Sequence, residues 1–250
     1  MIPSYLINLD RDQERLAFVL AHFQQQGINP ERFAAVDGRQ YSELEYQRFI
    51  AQRPRQGKKS WLRGQMGCFL SHYGVWQRIV NSRVRFAAVF EDDIHIAPGL
   101  YELLEGDDWI ADSVDIIRLD TSTNRVRLGP EPALQCHSHY FYRLLSTSWC
   151  TGGYIIHQRT ARQLLDLAPR YHQPSDVLLF NHEESAIARQ LKVLQASPAL
   201  CVQDKHHRGA VTFSSNIEAG ATRDWRLYCR QCLQGGYRYL AGYKRVEFKG

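Results

Sequence analysis

Three carboxylates stand in a row at Glu91-Asp92-Asp93, directly after the apolar run Phe86-Ala-Ala-Val-Phe90. In extended backbone, side chains two positions apart point the same way. Glu91 and Asp93 can therefore reach one cation together, while Asp92 points to the other side. Two carboxylates leave an octahedral metal open to water and to substrate phosphates, the usual way Mg²⁺ or Mn²⁺ is held beside a nucleotide. Such an ion is a Lewis acid that neutralises a diphosphate leaving group. Acidic turns after strands are common, so the triplet takes its weight from the buried strand that leads into it. Gly106-Asp107-Asp108-Trp109 has no such lead. Two more polar segments end short apolar runs in the same manner. They are Asn8-Leu9-Asp10, closing Ser4 to Leu9, and Asp37-Gly38, following Phe33-Ala-Ala-Val36.

These segments need strands and helices to position them. After Asp10, Leu16, Val19, Leu20 and Phe23 recur on one helical face, and Gly27 stops the pattern. A polar helix is predicted over 42–52, a basic Gly/Pro-bearing loop over 54–60, and a strong helix over 64–81. Its apolar face is Met66, Phe69, Leu70, Tyr73, Trp76, Ile79 and Val80. Val114-Asp-Ile-Ile-Arg-Leu119 reads as a strand, and weaker strands lie between Arg125 and Leu145. Gly152 to His157 leads into a helix from Arg159 to Leu167. Short strands close the pattern near Leu191 to Leu194 and at Pro198 to Val202. Alternating strands and helices predict an α/β fold, a mainly parallel sheet with helices on both faces. Ligands of such sheets bind beyond the carboxyl ends of the strands. Parallel strands would bring Asn8 to Asp10, Asp37-Gly38 and Glu91 to Asp93 to one crevice.

The composition agrees with a single domain. The chain has 250 residues, 44% apolar and 23% charged, which excludes disordered, collagen-like and coiled-coil classes. No apolar run approaches the ~20 residues of a membrane span, and Met1 to Tyr5 carries no signal-peptide pattern. Six irregularly spaced cysteines favour a reduced, cytosolic compartment. Cys229-Arg-Gln-Cys232 has no second pair with which to build a zinc site. The net charge of +5 is uneven. No acid lies between Tyr46 and Phe90, and the stretch after Ala221 is basic, which points to an anionic partner.

Several segments in order resemble glycosyltransferase family 25, the lipooligosaccharide-biosynthesis family that also contains collagen galactosyltransferase domains. They begin with Ile7-Asn-Leu-Asp-Arg11, Glu14-Arg15 and Ala35-Val-Asp-Gly38. Gly64-Gln-Met-Gly-Cys-Phe-Leu-Ser-His72 with Trp76 and Val89-Phe-Glu-Asp-Asp93 follow. Gly153-Tyr154, Ala161 with Leu164-Leu165, Pro174-Ser-Asp176 and Pro198-Ala-Leu200 with Gln203 complete the series. The resemblance implies a GT-A type fold, a UDP-sugar donor, Mn²⁺ or Mg²⁺, and inversion at the sugar. Glu91-Asp92-Asp93 would stand in for the DxD motif, although its first residue is Glu. Asn8, Arg11 and Arg15 match the first nucleotide-side motif, and Asp37 and Gly38 the second. Arg15 taken alone reads as part of a solvated helix face. His72, at the margin of an apolar helix face, becomes a site residue through the family match, and Asp92 is placed beside the nucleotide. Inversion needs a base that takes a proton from the acceptor hydroxyl. Asp176 matches the family's Pro-x-Asp in that role, with Glu183 and Glu184 as fallbacks. Asp176 could equally cap the next helix. His206-His207 is read first as a basic loop, with a metal or phosphate contact as the sharper alternative.

The expected organisation is a catalytic domain over 1–205, with a nucleotide-sugar half at 1–120 and an acceptor half at 121–205. A basic, aromatic, helical tail follows over 206–250. In this reading the enzyme transfers galactose or glucose to a lipooligosaccharide core acceptor. It works in the cytoplasm, where the tail can rest peripherally on the anionic inner membrane. No nucleic-acid reader motif is present. A metal-dependent nuclease or phosphohydrolase would need a second set of metal ligands. A non-catalytic glycan-binding or anionic-surface-binding module would not need the carboxylates kept here.

Overall fold

The structure is a computed structural model that describes residues 1–54, 60–167, 172–207, 213 and 242–250. The first half alternates as the apolar pattern predicts. Strand β1 (Ser4–Asn8) precedes helix α1 (Gln13–Gln25) and strand β2 (Glu31–Ala34). Helices α2 (Glu43–Gln52) and α3 (Arg63–Asn81) lead to β3 (Phe86–Glu91), β4 (Ile94–Ile96) and α4 (Leu100–Leu104). A capping box between Ser42 and Glu45 starts α2. Then come β5 (Ile116–Arg118), β6 (Asp120–Thr121), β7 (Arg125–Val126), β8 (Leu128–Cys136), β9 (His139–Leu144) and β10 (Gly153–His157). Helices α5 (Gln158–Leu167), α6 (Ser175–Phe180) and α7 (Ala186–Gln190) precede β11 (Val193–Ala196) and β12 (Cys201–Gln203). A 3-10 turn (Asp204–His206) and β13 (Lys244–Arg245) finish the described chain.

The main sheet has eight strands in the order β2-β1-β3-β10-β5-β11-β9-β8. Strands β2, β1, β3, β5, β11 and β8 run one way, and β10 and β9 run against them. The expected mostly parallel α/β sheet is therefore what the chain forms. Strand β8 carries Pro130 and Pro132 and lies at the sheet edge, where a missing N–H costs no ladder bond. Strand β4 was not legible in the sequence. Its three residues depend on β12, which comes far later in the chain.

Side-chain alternation splits the core into two layers. Tyr5, Ile7, Ala87, Val89, Tyr154, Ile156 and Val193 face α3, α5, α6 and α7 on one side. Leu6, Phe86, Ala88, Phe90, Ile155 and Leu194 face α1 and α4 on the other.

Two packing facts bear on the expected division at residue 205. Strand β13 pairs with β7, and Val246 is buried, its carbonyl accepting from Thr121 Oγ1 at 2.9 Å. The far end of the expected tail is therefore part of the same body. The predicted interfacial helix, most of the predicted loop over 54–60, and Cys229-Cys232 lie outside the described residues. Among the described residues no helix is long and apolar enough to cross a membrane.

Candidate active site

Strand register brings the three polar segments together. Parallel pairing sets Ile7 of β1 beside Glu91 of β3, and Asn8 beside Ala34 of β2. The chain leaves all three strands at one end of the sheet, around a cleft of about 770 Å³ including its open mouth. Asn8, Arg11, Arg15, Asp37, Gly38, His72, Glu91, Asp92 and Asp93 all line it.

Asp92 turns into the protein. Asn8 Nδ2 donates to its Oδ2 at 2.7 Å, and Arg15 Nη1 to its Oδ1 at 3.2 Å. Burial pushes the Asp92 carboxyl up, and these two partners oppose the shift. Arg15 corrects the reading as a solvated face: it is 8% exposed, held by Asp92 and, at 4.0 Å, by Asp93. The Asn8 amide is taken up by the protein itself, because its Oδ1 also accepts from Arg32 Nε at 2.9 Å.

Glu91 and Asp93 share a different partner. Gln203 Nε2 donates to Glu91 Oε2 at 2.7 Å and to Asp93 Oδ1 at 3.2 Å. A single amide thus marks the point on which both carboxylates converge. Burial, reinforced by the charge of Glu91, pushes Asp93 up to about 7. Burial also works against the Glu91 charge, but hydrogen bonds from His72 and Thr151 hold that carboxyl below its ordinary value. Thr151 Oγ1 donates to Glu91 Oε1 at 2.6 Å. Gln203 Oε1 is buried with no partner among the described residues. Two converging carboxylates are a hard-oxygen donor pair that fits Mg²⁺ or Mn²⁺, and a cation there would take the place of the Gln203 N–H that now bridges them.

His72 belongs to a different arrangement. Its Nε2 lies 3.1 Å from Glu91 Oε1, and its Nδ1 lies 2.9 Å from Tyr154 Oη. Trp76 Nε1 donates to the same Tyr154 oxygen at 3.0 Å. Tyr154 is fully buried, so its hydroxyl hydrogen needs an acceptor, and Nδ1 is the one in reach among the described residues. That leaves the ring hydrogen on Nε2, aimed at Glu91. Cys68, His72 and Glu91 place one ligand atom each within 4.8 Å of one another. A metal on Nε2 would strand the tyrosine hydrogen, so this trio suits a hydrogen-bond chain better than a soft-metal site. Burial pushes the Cys68 thiol well above its ordinary value.

The turn at Asp37-Gly38 is clamped to α3. A Cβ on Gly38 would sit 1.9 Å from Arg63 O, and one on Gly67 would sit 2.5 Å from Val36 O. Ser71 Oγ accepts from Val36 N at 2.8 Å and donates to Gly67 O at 2.7 Å. Gly38 thus serves close approach of turn and helix. Asp37 pairs with Arg11 across the cleft mouth, and its other oxygen accepts from Arg39 N at 3.0 Å.

Asp176 sits in the first turn of α6 and is not among the residues lining the cleft. Pro174 holds the N-cap position and no side chain caps the helix. Asp176 Oδ2 accepts from Cys150 N at 3.4 Å, and Oδ1 from Val177 N at 2.8 Å. Burial pushes its carboxyl up, with the charge of Glu91 acting in the same direction. One stretch of chain therefore serves two places: Cys150 N reaches Asp176, and Thr151 reaches Glu91. Gly152 N anchors this stretch to buried Asp120 at 3.0 Å, and Asp120 pairs with buried Arg118 at 2.9 Å.

Gln203, Thr151 and Lys205 were not assigned roles from their types and spacing. Gln203 closes β12, so the argument that located the acidic triplet beyond a strand would also have found it. Burial works against the Lys205 ammonium, yet its acidic neighbours, Asp93, Glu91 and Asp176 among them, hold it above its ordinary value. His206 and His207 do not join the carboxylates: His207 stacks on His95 at 3.9 Å, and His206 Nε2 lies 3.7 Å from Cys150 Sγ. Glu183 and Glu184 lie in a turn where both backbone amides donate to Asn181 Oδ1.

A mostly parallel α/β sheet with a carboxylate-bearing cleft beyond its strand ends has the architecture of an enzyme that binds ligands there. The model of glycosyltransferase family 25, described as LPS biosynthesis proteins, matches residues 1–179, and the chain belongs to this family. It is 29% identical to the lacto-N-neotetraose biosynthesis glycosyltransferase LgtB of Neisseria gonorrhoeae, over 92% of this chain and 84% of that protein. It is 34% identical to a glycosyltransferase 25 family member of Anopheles gambiae, over 86% of this chain and 38% of that longer protein. A solved glycosyltransferase involved in glycosylating the major capsid of PBCV-1 aligns over 96% of this chain and 98% of its own. Its TM-score is 0.41 and its identity 10%, too slight a likeness to bear on activity.

Proposed function

We propose that this glycosyltransferase moves galactose or glucose from a UDP-sugar to a lipooligosaccharide core acceptor, with inversion at the sugar. The fold is read as GT-A type, with residues 1–120 serving the nucleotide sugar and 121–205 the acceptor. The observation that carries the reading is the convergence of Glu91 and Asp93 on one amide, in the cleft where β1, β2 and β3 end. Glu91 and Asp93 would hold Mn²⁺ or Mg²⁺. Bound there, the ion would supply Lewis-acid stabilisation of the departing diphosphate. Asn8 and Arg15 hold Asp92 and so fix the backbone from which Glu91 and Asp93 project. Lys205 adds positive charge to the cleft, and the Arg11–Asp37 pair frames the nucleoside end. Asp176 takes the proton of the attacking hydroxyl, and burial, which pushes its carboxyl up, makes it a stronger base than a solvated aspartate. Nucleotide sugars and lipid-linked acceptors meet at the cytoplasmic face of the inner membrane, where the basic C-terminal stretch would meet anionic lipid.

The test is UDP release from a panel of UDP-sugars, with and without chelator. Turnover should require Mn²⁺ or Mg²⁺ and vanish in Asp93→Ala. Asp176→Asn should lose about 10²- to 10⁴-fold in turnover while keeping UDP affinity. Full activity in chelator would remove the ion from the reading, and an active Asp176→Asn would remove the base.

A further inference from the structure

Four tryptophans lie among the described residues, and three are satisfied. Trp61 Nε1 donates to Arg53 O at 2.9 Å, Trp76 Nε1 to Tyr154 Oη at 3.0 Å, and Trp109 Nε1 to Gly106 O at 2.9 Å. Trp149 is the exception. It is partly exposed, its indole nitrogen has no hydrogen bond, and its ring has no aromatic or cationic partner among the described residues. It is also absent from the lining of the cleft that holds Glu91 and Asp93.

Its backbone is held firmly. Arg118, buried and ion-paired with Asp120 at 2.9 Å, donates through Nη2 to Trp149 O and through Nη1 to Gln195 Oε1 at 2.8 Å. The next residue, Cys150, has φ of +73°, a left-handed value that a side-chain-bearing residue holds only when its surroundings impose it. Cys150 N donates to Asp176 Oδ2 at 3.4 Å. The Asp176 carboxylate therefore lies against the peptide bond that joins Trp149 to Cys150.

We propose that Trp149 is the platform of the acceptor subsite and takes the terminal hexopyranose of a neutral oligosaccharide. A sugar ring presents a face of C–H bonds to the electron-rich face of an indole, and its hydroxyls can accept from the unused indole N–H. The Trp149–Cys150 peptide, whose N–H holds Asp176, ties this platform to the residue read as base. This inference rests on Asp176 as the group that takes the acceptor's proton. It adds the residue that selects for a sugar over water as the attacking group.

The experiment uses the full chain with lactose, methyl β-galactoside and methyl β-glucoside as probes. Tryptophan emission is titrated with each, UDP affinity is measured by calorimetry, and acceptor KM and kcat are separated. W149A should raise the dissociation constant and KM for the preferred saccharide by about tenfold or more, with UDP affinity kept within about twofold. W149F keeps a ring but loses the N–H, and should raise KM by about threefold to tenfold. The saccharide-induced emission change should be present in the parent chain and absent in W149F. If W149A does not fold, that emission readout decides. The platform is overturned by an emission change that survives in W149F, by saccharide affinity unaltered in W149A, or by UDP affinity falling in step with it. A parent chain that binds saccharide but turns over no UDP-sugar would overturn the transferase reading and leave the platform standing.

Discussion

Glu91 owes its charge and direction partly to Tyr154 and Trp76, which lie behind the cleft and act through His72 on its wall. Trp76 donates to Tyr154, Tyr154 to His72, and His72 to Glu91, so a hydrogen-bond chain runs from the dry core to the carboxylate. The direction follows from the buried Tyr154 hydroxyl, whose hydrogen can go only to His72 Nδ1 because the Trp76 indole can only donate. Tyr154→Phe removes the middle link. It strands the Trp76 N–H and His72 Nδ1 in the interior, at about 1–3 kcal/mol for each unsatisfied group. Denaturant unfolding should report that loss. Imidazole ¹⁵N spectra should show His72 protonated at Nε2 in the parent chain and altered in the variant. Identical spectra would mean that Tyr154 does not set the tautomer.

Helix α3 and the turn after β2 meet with no room for a side chain. A Cβ at Gly67 would lie 2.5 Å from Val36 O and 2.8 Å from Gly38 N, both rigid backbone atoms. Gly67→Ala must therefore push the turn off the helix, an overpacking that costs about 1–3 kcal/mol. Because Asp37, which pairs with Arg11, sits on that turn, the proposed nucleotide site predicts a fall in UDP affinity with helical content unchanged by circular dichroism. Gly106→Ala, where an added Cβ meets nothing within 4 Å, is the matched control and should alter neither. Equal UDP affinity in both variants would detach the turn from nucleotide binding.

Several buried acids give the whole molecule a pH signature. Burial, with the charge of Glu91, pushes Asp93 up to about 7, and burial brings Asp120 to about 7 as well. A folded carboxyl with a raised value keeps its proton where the unfolded chain has released it. The ion-free protein should therefore lose stability as pH rises from about 4 to about 7. A divalent cation needs Asp93 ionised, so its affinity should fall as pH drops through that same upper limit. Thermal melts in chelator and in Mn²⁺ across this range test both signs. Stabilisation by the ion should grow with pH and level off above about 7. A shift by Mn²⁺ that is the same at every pH would exclude Asp93 as its ligand.

Local periodicity was enough to place β1, β3, β10 and α3, because apolar alternation and helical spacing are written in neighbouring residues. It was also enough to locate the acidic triplet at the end of β3, where the strand stops at Glu91. Partners were another matter. Asn8 meets Asp92 across 84 positions, and Gln203 meets Glu91 across 112. Strand order and register decide such contacts, and neither is encoded in any short window. Arg15 shows the difference most plainly: its helix offered it to solvent, and only the arrival of β3 beside β1 supplied the buried carboxylates that drew it in. Tertiary packing likewise turned His72 into a prop for Glu91, made Gly38 a point of contact, and left the Trp149 N–H unclaimed among the described residues, because burial and hydrogen-bond partners exist only once distant segments touch.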